Sequence, residues 1–303
     1  MSWLIVAILS YFLFSFVALT DKFLLSGPPN SKIYTFYAGT LGSLIIILIP
    51  FVGLSFLDLP KTIFTLATGV FFVFSLFFIY EGLKKYEASR IVPAIGGITP
   101  IFAFFITLIM SQGKETLPIK GLAALLLLTL GSIAISLDFS KKISYASLKI
   151  SAIASLFLAL YFVFAKYVYL MFPFWHGLIW IKIGSLIAAL FFLFSREVRQ
   201  EIFKKREKKS SFTKKTGALF IINQGFGATA AILQNWAIAL AGVSFVSVVI
   251  ALQGVQYLFL FFLALLLSWK FPEILKEETS KKIIMQKIIS ILLICVGLAM
   301  LAI

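Results

Sequence analysis

The sequence predicts an all-α integral membrane protein, with ten transmembrane helices arranged as two five-helix repeats of inverted topology. Three observations predict it. The composition is too apolar for a globule in water. Apolar runs of bilayer length recur along the whole chain, and lysine and arginine crowd every second connection.

Of 303 residues, 61% are hydrophobic and only 13% charged, and the mean hydropathy is +1.06. A soluble domain is about half apolar and a quarter charged. This excess would leave most of a folded surface as bare hydrocarbon, so the solvent is lipid.

About 20 apolar residues cross the hydrocarbon core. The runs lie near 2–20, 34–52, 61–81, 90–111, 119–137, 147–170, 175–195, 216–240, 244–268 and 283–303. The first, Met1 to Leu19, has neither a basic leader nor a small-residue cleavage site, and reads as an uncleaved span. The second and seventh each follow a proline, Pro29 and Pro173, and carry Tyr37-Ala38-Gly39-Thr40-Leu41 and Lys182-Ile183-Gly184-Ser185-Leu186 at matching places. The first and sixth close near Lys22 and Lys166. The third runs through Tyr80-Glu81-Gly82-Leu83 and a charged turn, read as four to eight residues, to Glu87-Ala88-Ser89-Arg90. The fourth is broken by Pro93, Gly96, Gly97 and Pro100. The eighth ends in Gln234-Asn235-Trp236 and turns through Ala241 to Ser244 into a ninth that carries Gln253, Gly254 and Gln256. All must be helices, since backbone in lipid has to bond to itself and ten-residue barrel strands are absent.

Connections after odd-numbered spans hold most of the basic residues: Lys22 and Lys32; Lys84, Lys85 and Arg90; Lys141, Lys142 and Lys149; nine between Arg196 and Lys215; and five between Lys270 and Lys287. Those after even-numbered spans hold Lys61, Lys114 and Lys120. Basic connections stay on the cytoplasmic side, which predicts a multi-pass protein of the cytoplasmic (inner) membrane with both termini outside. The basic stretch Arg196 to Lys215 fixes that topology and touches anionic headgroups. An odd number of spans per repeat forces the two repeats, 1–140 and 141–303, to enter in opposite senses. Charge follows: the turn at Lys84 to Arg90 is basic, and its counterpart at Ala241 to Ser244 is uncharged.

The paired hairpins Gly82-Leu83…Ala88-Ser89…Pro100 and Ala239-Leu240…Ser244…Gln256, with spaced glycines Gly121, Gly131 and Gly297 in the fifth and tenth spans, carry a resemblance over nearly the whole chain. The chain resembles EamA-type transporters of the drug/metabolite transporter superfamily. The resemblance implies export or exchange of a small metabolite through a cavity lined by both halves. It also implies a basic residue at the position of Lys182.

Polar side chains in hydrocarbon are costly and ask for a reason. Asn223, Gly227, Ala230 and Gln234 share one helix face, flanked by Gln224 and Asn235 and closed by Trp236; Gln253, Gln256 and Tyr257 cluster one span later. Two readings stand open: a polar cavity wall that binds a solute, or amide glue between helices. Tyr80 is assigned to the same substrate-binding set. Pro93, Gly96, Gly97, Pro100 and Thr107 lie on one face as a hinge or a close-packing surface. Lys182 sits seven residues into its span, roughly 10 Å deep at 1.5 Å per residue, where it either snorkels outward or meets a carboxylate or phosphate in the cavity. Trp175, Trp180 and His176 mark the outer end of that span.

The absences are informative too. No carboxylate lies mid-span, Glu81 and Asp138 being at span ends, so a proton-driven exporter of cationic drugs is a minor alternative. One histidine and one cysteine, Cys295, leave no disulfide, no metal site and no cofactor expected, and an intramembrane enzyme is disfavoured. The +15 charge is spread between spans, not gathered in a stripe, so no nucleic-acid partner is expected. The partners expected are membrane lipid and a small solute, with a homodimer left open. The function expected is a secondary transporter for an amino acid or an organic or phosphorylated anion. A flippase for a phosphate-containing lipid-linked sugar is a further alternative.

Overall fold

The computed structural model describes residues 2–24, 30–54, 58–86, 88–136, 145–203, 214–270 and 281–302, as backbone only at 21–24, 88–90, 136, 201–203, 214–221, 264–270, 281–284 and 302. Pro29, Glu87, Asp138, Lys141, Lys142, the 140/141 division, most of the basic stretch after Phe203, and 271–280 lie outside the described residues, as do the side chains of Lys22, Ala88, Ser89 and Arg90.

The order of elements is α1 (Ser2–Leu24), α2 (Ser31–Leu41), a 3-10 stretch (Gly42–Leu48), α3 (Ile49–Val52), α4 (Leu59–Lys85), α5 (Ala88–Met110), α6 (Ile119–Ser136), α7 (Tyr145–Met171), α8 (Phe174–Phe191), a 3-10 turn (Phe192–Phe194), α9 (Arg196–Phe203), α10 (Lys214–Leu240), a 3-10 turn (Val243–Phe245), α11 (Val246–Ala251), α12 (Gln253–Lys270) and α13 (Lys281–Ala302). No strand occurs among the described residues. Seven helical stretches there are long and apolar enough to cross a membrane, with mean hydropathies of 2.0 to 2.2, and Ile119–Ile135 and Met285–Leu301 are shorter apolar helices. The chain is an all-α, multi-pass membrane protein. α10 falls below that apolarity because it carries Asn223, Gln224, Gln234 and Asn235.

Local chemistry sets the ends. Asn30 caps α2 by accepting from the Ile33 amide at 3.4 Å. Pro60, in the first turn of α4, gives up an amide that would have no partner there. α5 stops where Gly113, at φ 76°, donates back to Leu108 O at 2.8 Å, a conformation a Cβ would oppose. The charged turn is tighter than the four to eight residues expected, since α4 ends at Lys85 and α5 begins at Ala88.

α1 packs along α10 and α12, α4 along α7 and α8, α5 along α6, α7 and α11, and α6 along α12 and α13, while α2 rests on α4 and α8. Phenylalanine fills the α4–α7 seam: Phe64 stacks on Phe164 (4.8 Å) and Phe78 on Phe157 (5.7 Å). Elsewhere glycines bring backbones together. Gly131 faces Ser290 and Ile294, and Gly297 faces Leu128 and Ala124, which joins α6 to α13; Gly121 meets Leu117 and Pro118 of its own chain end instead. On the side of α9, Lys32 pairs with Glu197 at 3.1 Å and its ammonium holds that carboxyl below the usual range. Glu81 there accepts from Ser31 (2.6 Å) and pairs with Lys85 (2.7 Å).

Candidate functional site

A buried charge in the middle of a span is the starting point. Lys182, eight residues after the first residue of α8, is 7% exposed and does not reach a surface. Its ammonium stands 4.6 Å from the centre of the Phe72 ring of α4. A Cβ on Gly42 would lie 3.8 Å from Nζ, so the absence of a side chain there leaves the room. Ser43 Oγ donates to Lys182 O at 3.0 Å and to Gly39 O at 2.6 Å, which ties this turn of α8 to the point where α2 gives way to the 3-10 stretch. Seven residues of 3-10 helix is unusually long. No carboxylate among the described residues neutralises the ammonium.

The Phe72 ring continues to Tyr161 of α7 (4.9 Å). Tyr161 OH and Tyr169 OH both donate to Asn235 Oδ1, at 2.9 and 2.8 Å, and Asn235 Nδ2 donates to Ala231 O at 2.9 Å. Asn235 is buried, with both its amide oxygen and its amide nitrogen bonded. Nearby, Lys166 Nζ donates to Ala239 O at 2.8 Å. Trp236, next in the chain, points the other way into Phe174 (4.8 Å) and Trp175 (6.3 Å), closing the α8–α10 gap at this end. His176 Nε2 lies 3.3 Å from Val52 O, so the ends of α3 and α8 meet here as well. Tyr161 and Tyr169 were not expected site residues. Their signal was two hydroxyls eight residues apart on one helix face, each needing a partner in an apolar span.

The α10 face of Asn223, Gly227, Ala230 and Gln234 lies against α1. Gly227 is beside Val17, Ser10 Oγ donates to Ala230 O at 2.8 Å, and Gln234 Nε2 donates to Tyr11 OH at 3.2 Å. Asn223 is buried. Gln256 Nε2 also reaches α1, at Phe14 O (3.4 Å). These amides join helices. Gln253 Nε2 donates to Tyr257 OH at 2.9 Å, and both side chains face Gly96 of α5, while Gly97 faces Ile133 and Thr129 of α6. The hinge set thus divides between two neighbours, and α5 runs unbroken through the buried Pro93 and Pro100. The interruption falls in the ninth span instead, at Leu252 between α11 and α12. Tyr11 OH reaches Val249 O (2.9 Å) and Ile250 O (3.3 Å), and Ser132 Oγ reaches Ala251 O (3.4 Å), so hydroxyls from α1 and α6 satisfy carbonyls at the break. Tyr80 lies at the other end of the molecule, its ring 5.7 Å from Tyr34.

Gln224 differs from the other amides. It shares the Asn235 side of α10, yet it is exposed together with Gly225, Ala228 and Thr229, and a Cβ on Gly225 would meet nothing within 4 Å. α10 is therefore held by α7 near Asn235 and stands clear of it two to three turns earlier.

Tyr11→Phe tests the polar seam. It removes the donor at the helix break and the acceptor of Gln234, leaving buried groups unpaired at about 1–3 kcal/mol each. The expected result is a lower unfolding midpoint in detergent, with Tyr37→Phe, exposed, as an unchanged control. A midpoint equal to wild type would show that water reaches the break.

No family model matches the chain, and no curated protein matches it. Its fold is similar to that of solved structures, among them a protein crystal structure at a TM-score of 0.69 and 15% identity, covering 99% of this chain and 96% of the other. At that identity the likeness extends to the fold alone. No group of three or more His, Cys, Asp or Glu side chains that would hold a metal occurs among the described residues.

Proposed function

We propose that the chain is a secondary transporter of the EamA type, with ten spans in two inverted five-helix repeats, that moves a small polar anion by alternating access. Lys182 carries the proposal. It is a buried ammonium whose neighbours on the 3-10 stretch after α2 and on α4 are a glycine and an aromatic ring, with no counter-ion among the described residues. A carboxylate or phosphate supplies what that ammonium lacks.

Packing supports the two repeats. α1 lies on α10 as α7 lies on α4, and α1 on α12 as α7 on α5; α6 meets α13, α5 meets α11, and α2 meets α8. Exchanging the halves maps these relations onto one another. The broken ninth span and the gap beside Gln224 fit a solute path at the interface of the halves. Glu81, at the end of its span, is taken up by Lys85 and Ser31, which leaves it little role in proton-driven drug export.

Uptake into liposomes from a panel of amino acids, organic acids, sugar phosphates and cationic dyes tests the function. Organic acids or sugar phosphates should move, and movement of cationic dyes alone would overturn the proposal. Topology is checked separately: a C-terminal reporter that folds only in the cytoplasm should stay dark, and a bright one would invert the assignment.

A further inference from the structure

α4 and α8 cross at two glycines. A Cβ on Gly69 would strike Ile181 O and the Ser185 amide, and one on Gly184 would strike the backbone of Leu66. Ser185 Oγ closes the crossing by donating to Gly69 O at 3.2 Å as well as to Ile181 O, four residues back, at 3.1 Å. The backbones meet with no side chain between them.

The other half carries the same parts, unassembled. Gly39-Thr40 holds in Tyr37–Leu41 the place that Gly184-Ser185 holds in Lys182–Leu186. α4 and α10 are both 27 residues long, and Gly225 lies as deep in α10 as Gly69 in α4 to within one residue. Thr40 Oγ1 already makes the bond to the residue four back, Phe36 O, at 2.8 Å, as Ser185 does to Ile181 O. What is missing is the crossing. Among the described residues α2 and α10 form no packed seam, Gly225 has open space where its Cβ would be, and Gly225 O accepts from Thr229 Oγ1 at 2.9 Å. Gly39 meanwhile faces Ala189 and Val73.

We infer that the protein has a second stable packing in which Gly225 of α10 seats on Gly39 and Thr40 of α2, while the Gly69–Gly184 crossing parts. The inference rests on the inverted-repeat reading above. The two crossings exclude each other, because α10 reaches Gly39 only when α2 leaves Ala189 and Val73. Lys182 lies two residues before Gly184 on α8, so parting the present crossing uncovers its ammonium from the α4 side. In the second packing Thr40 Oγ1 donates to Gly225 O, as Ser185 now does to Gly69 O.

The test is cross-linking in nanodiscs of the full chain carrying Cys295→Ser, Thr40→Cys and Ile222→Cys. Ile222 is the counterpart of Leu66 at the crossing. A disulfide or short bis-thiol bridge should form without any solute. Gly225→Ala and Gly225→Leu, added in turn, should reduce its yield stepwise, at least 10-fold for leucine. The unfolding midpoint should stay at the parent value, since the present packing has room for either side chain. No bridge in the parent, or equal yield with Gly225→Leu, would overturn the inference. If the bridge forms and responds to Gly225 while no solute on the panel moves, the transport reading fails and the second packing stands.

Discussion

Lys182→Ala should reduce uptake of an organic or phosphorylated anion on the order of 100-fold, the loss of one or two charge-assisted hydrogen bonds, without lowering the unfolding midpoint. The second half of that expectation follows from the environment. Taking an ammonium out of water costs several kcal/mol even after relaxation. Against that stand the Phe72 ring, a desolvated cation–π contact of about 2 kcal/mol or somewhat more, and the burial of the lysine stem. The charge is a net cost to the fold, so folding does not explain its presence. Lys182→Met keeps the stem and removes the charge, and should be at least as stable as wild type and as inactive as the alanine variant. Lys182→Arg restores charge but brings a wider, planar group toward the small space beside Gly42, and should recover uptake only in part. If Lys182→Met unfolds at a lower temperature while uptake continues, the ammonium is structural and the anion site is elsewhere.

Much of the architecture was legible because lipid removes alternatives. Apolar runs have to be helices, so the seven long apolar helices among the described residues, from Ser2–Thr20 to Val243–Leu263, fall where the sequence put spans. Lys182 was legible for the same reason: a charge eight residues into a helix has few explanations. Neighbours were not. Periodicity put Asn223, Gly227, Ala230 and Gln234 on one face of α10, but a face does not name what it meets, and it meets Ser10, Tyr11 and Val17 of α1. Gln224, read as flanking that face within the same substrate-binding set, is the amide left exposed. The helix break was sought at the prolines, yet α5 absorbs Pro93 and Pro100, and the chain opens at Leu252, where the partners are hydroxyls of Tyr11 and Ser132 from other helices. Satisfaction by distant hydroxyls leaves no local mark in a sequence. Glycine is equally ambiguous there, since Gly69 and Gly225 look alike until one is found pressed on a carbonyl and the other in open space.

That contrast gives the largest stability effects expected of any substitution in the molecule. Gly69→Leu and Gly184→Leu each place a side chain where the neighbour is backbone, and backbone in two long helices cannot step aside locally. Overpacking where atoms can shift costs about 1–3 kcal/mol. Here α4 and α8 have to separate along the whole crossing and lose the Ser185–Gly69 bond at 3.2 Å, so the cost should reach the top of that range, limited only by what the second packing recovers. Once either variant has forced the helices apart, the other has little left to break. The double variant should therefore be destabilised by much less than the two singles added together, a non-additivity of at least 1 kcal/mol in a double-mutant cycle. Unfolding midpoints in detergent measure it, and labelling of Lys182 by an amine reagent reads the opening directly. Strict additivity with unchanged labelling would mean that the two glycines are not parts of one contact, and the crossing would lose its place as the element that covers the ammonium.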